Sequence, residues 1–546
     1  MEKSQAMRRN RKLDRTVDKT RALRRAPTTP SAAPASIVVT SPLDGRPLGE
    51  ARSWTLAEAL AAVEKTRAAQ RRWAKTTHRE RRAILQRWLD RMNEHSGEIA
   101  RALAAENGKT IHEAYVMEIL PTMMLTRHFA RRAEKILQPQ KINLSFFKNR
   151  ASYLHYVPRG VVLVIAPWNF PLAIPLGTTI MALLAGNGVI LKPASLTPLI
   201  ASRVRDLMVD AGLDPDLFQV VSGPGRLGSE LIESGQVDFV NFTGSTAVGR
   251  HVAALAASRM IPNSMELGGK APALVLRDAD LDRAARAVVW GAFANSGQVC
   301  AAVERVYVHE KIHDEFVGRV VRLTRGLRQG NPFAEGEVDV GAMTDPAQIE
   351  IVERQLRDAK RHGAKVLIGG RRAAAGSRYF APTILTGVTE KMTVAREETF
   401  GPVMPIMKFW TEEEAIARAN DSPYGLLAYV FTRDPQRGRA VADRLEAGTV
   451  MVNEVLMTHG FPETPWAGVK QSGTGRVHSG EGLRDLCQTR HVNYEVFPML
   501  NPLWHPYRTT VLQSLIAGTA LLTKSPTVGG GLRQLAEMVR FTKRNE

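Results

Sequence analysis

The chain has 546 residues, 44% of them hydrophobic and 23% charged, enough for two or three globular domains with cores of their own. Two cysteines exclude a disulfide framework and fit a reducing compartment, and no N-terminal apolar stretch marks a secretory leader. A net charge of +20 raises nucleic-acid binding, but no zinc-ligand spacing, RNP-like run or basic–aromatic stripe accompanies it.

Much of that charge lies in residues 1–29, with ten Lys/Arg against Glu2, Asp14 and Asp18. Together with the Pro-, Ala-, Ser- and Thr-rich residues 26–36 this reads as a basic disordered arm over 1–36. A solvated tail is the plain interpretation; a targeting segment or an arm for anionic lipid or nucleic acid are the others. Regular structure is expected from near Ser36. Thr55 and Glu58 form a capping-box pattern ahead of Leu56, Leu60 and Val63 at helical spacing. Helical patterns continue over Arg79–Asn93 and Gly97–Glu106.

Short apolar runs then alternate with amphipathic stretches. Val161–Ile165, Gly188–Leu191, Phe218–Val221 and Phe239–Phe242 predict buried parallel strands with helices between them, a doubly wound α/β unit. A second series follows at Ala273–Leu276, Arg305–Val308, Lys365–Ile368, Pro405–Lys408, Tyr429–Phe431 and Val450–Val452. It predicts a second α/β domain beginning near Glu266.

Several segments carry chemistry. In 166–171, Ala-Pro-Trp168-Asn169-Phe-Pro follows a buried strand; an Asn there is usually a turn-former, but its amide can donate to a developing oxyanion. Lys192 ends a strand, where ligands of open α/β sheets gather, although a strand-end lysine is most often a solvated charge. The run Gly223–Gly228 fits G-x-G-x-x-G, yet its proline and its place in the chain make a simple turn an equal reading. In Phe242–Arg250 a strand ends in a glycine turn and a helix starts, an arrangement that lets backbone N–H groups approach phosphate. Cys300, in Phe-Ala-Asn-Ser-Gly-Gln-Val-Cys, is by itself more often a small hydrophobe than a nucleophile. Glu266, beside a Gly-Gly turn, is by itself an ordinary charge. As a pair they supply a thiol to attack a carbonyl and a base to activate water.

Together these segments resemble the aldehyde dehydrogenase superfamily from about residue 37 to 495. The matching pieces, in family order, are PWNF at 167–170, LKPAS at 191–195, FTGSTAVG at 242–249, MELGGK at 265–270, FANSGQVC at 293–300, EETFGPV at 397–403 and GVKQSGTGR at 468–476. The resemblance implies an α/β aldehyde dehydrogenase-like fold: a doubly wound cofactor domain, a second α/β catalytic domain and a small oligomerisation strand element. It assigns 37–265 to NAD(P) binding, with an oligomerisation excursion near 137–157. It assigns 266–465 to catalysis, 466–497 to a return to the cofactor domain with the oligomerisation strand, and 498–546 to a C-terminal extension.

By the same resemblance Cys300 is the nucleophile, Asn169 and the Cys300 backbone N–H hold the oxyanion, and Glu266 is the base for thioester hydrolysis. Trp168, Lys192, Ser195, Gly244, Ser245, Gly249, Glu398 and Phe400 line the seat of NAD or NADP, and no metal is expected. Many NAD-preferring members carry Glu where this chain has Ser195. Its absence removes a charge that would repel a 2′-phosphate, so NADP is expected beside NAD. Ala247 and Ala467 depart from frequent family residues with no chemical consequence assigned.

No Arg follows Asn169 in Phe170–Leu176, and Leu456, Met457 and Phe461 offer an apolar pocket loop. A neutral, apolar aldehyde is therefore expected rather than succinic semialdehyde. The alternatives are a succinate-semialdehyde-type dehydrogenase and a non-catalytic basic binding protein on the same fold. The family's assembly mode points to a homodimer or homotetramer through 491–496, together with the segment near Ser152–Tyr156. The apolar run 511–522 is too short for the ~20 residues of a spanning helix. With the amphipathic stretch 532–544 it is read as packing on the body or a neighbouring subunit, or as an interfacial membrane helix or lid. The expected location is cytoplasmic, with peripheral membrane contact only through that extension.

Overall fold

The computed structural model describes residues 36–145, 147–498 and 504–524. The basic arm, apart from its last residue, and the amphipathic stretch 532–544 lie outside the described residues.

Two compact units are present: Met1–Gln138 with Tyr156–Gln488, and Pro139–His155 with Thr489–Glu546. The larger unit contains both principal sheets. The six-stranded sheet runs Gly473–Thr474, Asn263–Glu266, Phe239–Thr243, Val161–Ile165, Gly188–Lys192, Phe218–Val220, parallel except for its first strand. The seven-stranded sheet runs Lys365–Ile368, Thr383–Thr386, Val403–Phe409, Val303–His309, Ala271–Val275, Leu427–Phe431, Thr449–Val452, again parallel except at the first edge.

Burial on both faces explains the continuous apolar runs. Val162 and Val164 enter one cluster with Ile180 and Leu183 of the helix Ala173–Leu184. Their neighbours Val161 and Leu163 enter another with Leu231 and Val252. In the second sheet Tyr429 and Phe431 face one core while Ala428 and Val430 face the other. Each fully buried side chain of this kind contributes about 1.5–3 kcal/mol.

Every strand expected from the two apolar series is present. Asn263–Glu266, Thr383–Thr386 and Gly473–Thr474 are additional, because their pairing partners rather than an apolar run define them. Thr55 caps the helix Leu56–Trp73 with the expected capping box, and Thr77 caps His78–Glu94 in the same way. The ambiguous segment at Gly223 leads through Pro224 into the helix Gly225–Glu233, which contains both Gly225 and Gly228.

The smaller unit centres on a three-stranded sheet in the order Cys487–Glu495, Arg150–Pro158, Gln140–Lys141. Ser152 Oγ and His491 Nε2 lie 2.6 Å apart, and the Tyr153 and Tyr494 rings stack at 6.1 Å. The apolar run of the tail lies in the helix Thr509–Lys524, and no helix among the described residues is long and apolar enough to cross a membrane.

Candidate active site

Cys300 follows a tightly constrained loop. The helix Leu281–Phe293 ends in a turn where Asn295, Ser296 and Gly297 take φ of 50, 55 and 73° in succession. Only glycine fits at 297, since a Cβ there would stand 2.3 Å from the Gly401 carbonyl oxygen. Glu113 Oε1 accepts the Asn295 N–H at 2.7 Å, and Ser296 Oγ donates to the Gly341 carbonyl at 3.0 Å. These bonds hold a backbone that two non-glycine residues would otherwise avoid.

Asn169 sits beneath this loop, 2% exposed, and its Nδ2 donates to the Gln298 carbonyl at 2.9 Å. One amide hydrogen is thereby engaged and the other is left for a ligand. Its own carbonyl accepts from Asn295 Nδ2 at 3.0 Å and Lys109 Nζ at 3.1 Å. Lys109 and Glu118 form a fully buried ion pair, and Glu118 Oε2 accepts the N–H groups of Leu172 and Ala173 at 2.8 and 2.9 Å. The Asn169 turn is thus pinned from both sides.

Glu266 ends the strand Asn263–Glu266, and neither carboxylate oxygen has a hydrogen bond of good geometry despite full burial. Burial therefore raises its pKa well above the ordinary value, offset only in part by the nearby Trp466 side chain. Glu266 and Cys300 line the same cavity. Burial, then Glu398, then Glu266 push the Cys300 thiol up to about 12. The resting thiol is consequently protonated at neutral pH, and a base must take its proton before it attacks.

Glu398 Oε1 accepts the Gly269 N–H at 2.9 Å, and burial with the neighbouring Glu304 lifts its pKa to about 8. Phe400, at φ 48°, meets the Trp168 ring edge-on at 5.5 Å. Lys192 closes the strand Gly188–Lys192, 4% exposed, and its Nζ donates only to the Pro193 carbonyl at 3.2 Å. No carboxylate among the described residues pairs with it, and burial lowers its pKa to about 8. Ser195 is exposed, its Oγ donating to the Gly223 carbonyl at 3.0 Å.

Ser245 precedes the helix Thr246–Ser258 without a side-chain cap, so the first N–H groups of that helix remain open. At Gly249 a Cβ would come within 2.2 Å of Leu267, which explains the glycine. Gly244 donates its N–H to the Glu266 carbonyl at 3.0 Å, tying this turn to the strand that carries the carboxylate. A buried lysine without a counter-charge and an uncapped helix start, both at the carboxyl ends of parallel strands, suit a dinucleotide. The residues present therefore fit NAD(P).

The cavity at Cys300 has a volume of about 160 Å³. Its walls are mainly apolar, with Met117, Leu120, Ile174, Trp290, Leu456 and Phe461 among them, and no Lys or Arg contributes to the lining. Sequence reasoning did not find two histidines in the same lining, His459 and His478, nor Lys270, Glu304, Lys109 and Glu118 around it. Glu304 was visible in principle as a charge inside the apolar strand Val303–His309, a position that demands a buried partner.

Comparison with known proteins accords with this geometry. Residues 29–492 match the model of the aldehyde dehydrogenase family. The chain belongs to the aldehyde dehydrogenase family. A Mycolicibacterium smegmatis protein named as an NADP(+) succinate-semialdehyde dehydrogenase is 38% identical over 481 residues, covering 86% of this chain and 92% of the relative. A crystal structure of succinate-semialdehyde dehydrogenase from Burkholderia pseudomallei superposes with a TM-score of 0.82 at 36% identity, covering 85% of this chain and 95% of that one. An NAD+ complex of a Bacillus cereus aldehyde dehydrogenase matches with a TM-score of 0.81 at 33% identity, covering 85% and 94%. The two-sheet α/β architecture described above is that of the family.

Proposed function

We propose that this NAD(P)-dependent aldehyde dehydrogenase oxidises neutral, largely apolar aldehydes to free carboxylic acids. In this reading Cys300 Sγ gives up its proton to solvent water and attacks the aldehyde carbon. The side-chain amide of Asn169 and the Cys300 backbone N–H donate to the resulting oxyanion. Lys192, Ser195 and the turn from Gly244 through Ser245 to Gly249 hold the phosphate and ribose groups of the cofactor, while Trp168, Glu398 and Phe400 hold its nicotinamide end. When bound, NAD(P) supplies the acceptor for the hydride that leaves the substrate carbon. The acyl group then remains on Sγ as a thioester. Glu266 takes a proton from water, which adds to the thioester carbonyl; the acid departs and Sγ regains a proton.

The observation that carries the substrate assignment is the cavity at Cys300, whose lining contains no cation. A carboxylate buried there would lack a partner, at a cost of several kcal/mol. The similarity to succinate-semialdehyde dehydrogenases favours the competing assignment. Steady-state kcat/KM for hexanal and for succinic semialdehyde separates them: hexanal is expected to be preferred, and a preference for the semialdehyde would overturn the assignment.

The proposal extends to assembly and to the division of labour along the chain. Residues 37–265 with 466–497 form the cofactor domain and 266–465 the catalytic domain. The exposed Tyr494, Val496 and Phe497 beside the strand Cys487–Glu495 support pairing into a dimer or tetramer. Light scattering on the full chain tests this, a monomer at micromolar concentration being the contrary result. The working location is the cytoplasm. The exposed Trp504, Tyr507, Leu512 and Ile516 support membrane contact at the C-terminal extension, which liposome co-sedimentation of the full chain tests.

A further inference from the structure

The wall of the Cys300 cavity carries two histidines that the reaction just described does not use. The rings of His459 and His478 lie 4.7 Å apart, and His459 also meets Trp466 edge-on at 5.0 Å. His478 is 3% exposed and its Nδ1 has no hydrogen-bond partner. No hydrogen bond joins either nitrogen of His459 to another of the described residues. Burial depresses the pKa of both rings, that of His459 to about 4, so both imidazoles are neutral at physiological pH.

His478 is held in place from both sides. Val477 and Trp466 exchange backbone hydrogen bonds at 2.8 and 2.9 Å, and Ser479 donates its N–H to the Pro462 carbonyl at 2.9 Å. Between these anchors His478 takes φ 62°, a conformation uncommon for a residue with a ring on its Cβ. A leucine or valine would complete an apolar wall without burying an unpartnered nitrogen. Instead a fixed backbone presents an uncharged, unpartnered ring to a cavity.

We propose that His459 and His478 form a polar subsite for an uncharged hydroxyl group carried by the aldehyde, so that the favoured substrates are apolar at the chain and hydroxylated beyond the carbonyl. The inference rests on the aldehyde-oxidising reading above. A neutral imidazole offers one N–H donor and one acceptor, and a hydroxyl can match both at once. A carboxylate can only accept, and would bring a charge that neither ring balances. A hydroxyl in the cavity therefore finds a donor and an acceptor on the two rings that line it, whereas a methyl group leaves them unmet.

The test compares kcat/KM for hexanal and octanal with 6-hydroxyhexanal and 8-hydroxyoctanal, using the full chain and NAD. At least one hydroxylated member is expected to exceed its parent by roughly fivefold or more, the worth of a neutral hydrogen bond. His459→Leu and His478→Gly should each erase that ratio; glycine accepts the left-handed backbone at 478. His478→Asn, which keeps a donor and an acceptor, should retain part of it. No preference in the wild type, or an undiminished preference in both His459→Leu and His478→Gly, would overturn the proposal while leaving aldehyde oxidation intact. If hexanal and octanal are not oxidised either, both readings fall together.

Discussion

Glu304 holds Phe400 in a left-handed backbone conformation: its Oε1 accepts the Phe400 N–H at 2.8 Å where φ is 48°. Its other oxygen accepts the Thr399 N–H at 2.7 Å and Lys270 Nζ at 2.5 Å. A buried ion pair thereby shapes the turn that carries Glu398 and Phe400, the residues proposed above for the nicotinamide end of the cofactor. Glu304→Gln should leave Lys270 charged and unpaired, lowering stability by about 3–5 kcal/mol in chemical denaturation. It should also raise KM for NAD(P), because the amide keeps only one of the two oxygen acceptors that bind the Thr399 and Phe400 N–H groups.

Glu266 and Cys300 are expected to separate kinetically. Glu266→Gln should still show a burst of NAD(P)H in the first turnover, followed by a steady-state rate lower by about 10²–10⁴-fold. Cys300→Ser should lose the burst as well. Stopped-flow absorbance at the reduced cofactor band distinguishes the two, and a Glu266→Gln rate within about threefold of wild type would rule out its role as base.

The pH dependences of activity and stability are expected to run in opposite directions. Burial raises the pKa of Glu266 well above the usual carboxylate range and that of Glu398 to about 8. Both groups therefore bind protons more tightly in the folded chain than in the unfolded one. Their stabilising contribution is present at low pH and is lost as pH rises, for Glu398 from about pH 5 to about pH 8. Glu398→Gln should flatten that decline in a series of urea melts. As pH rises through the elevated pKa of Glu266, kcat should rise, because only the ionised Glu266 can accept a proton.

Burial comes first, and Glu398 second, among the causes that lift the Cys300 thiol to about 12. Alkylation by iodoacetamide without cofactor should accordingly be slow at neutral pH. Glu398→Gln should lower the apparent thiol pKa and accelerate alkylation; an unchanged rate–pH profile would show that this carboxylate does not act on the thiol.

The exposed Ser195 presents no charge near the end of the Lys192 strand. Ser195→Glu should reduce kcat/KM for NADP by about tenfold or more relative to NAD, through repulsion of the 2′-phosphate. Equal losses with both cofactors would indicate a steric effect instead.

Much of the fold was legible from local pattern. Runs such as Val161–Ile165 and Tyr429–Phe431 are apolar at every position because both faces of a parallel strand are buried, and such runs betray themselves in one dimension. Asn263–Glu266 has no such run; it is a strand because Phe239–Thr243 and Gly473–Thr474 pair with it. The candidate nucleophile, base and oxyanion donor were also legible, since each sits in a short motif with its own turn chemistry.

By itself the sequence determined the class of chemistry and the architecture, because both rest on contiguous segments: a strand, a glycine turn, a cysteine loop. Tertiary structure alone decided the environment of those groups. Lys109 and Glu118 secure Asn169 only once the helix Leu120–Leu137 and its preceding turn pack beneath that loop. His459, from the short 3-10 helix Met457–Gly460, and His478, from the residue before the helix Ser479–Asp485, meet at the wall of the Cys300 cavity. The physical reason is that burial and the pairing of polar groups depend on what surrounds an atom in space. No spacing along the chain records that neighbourhood.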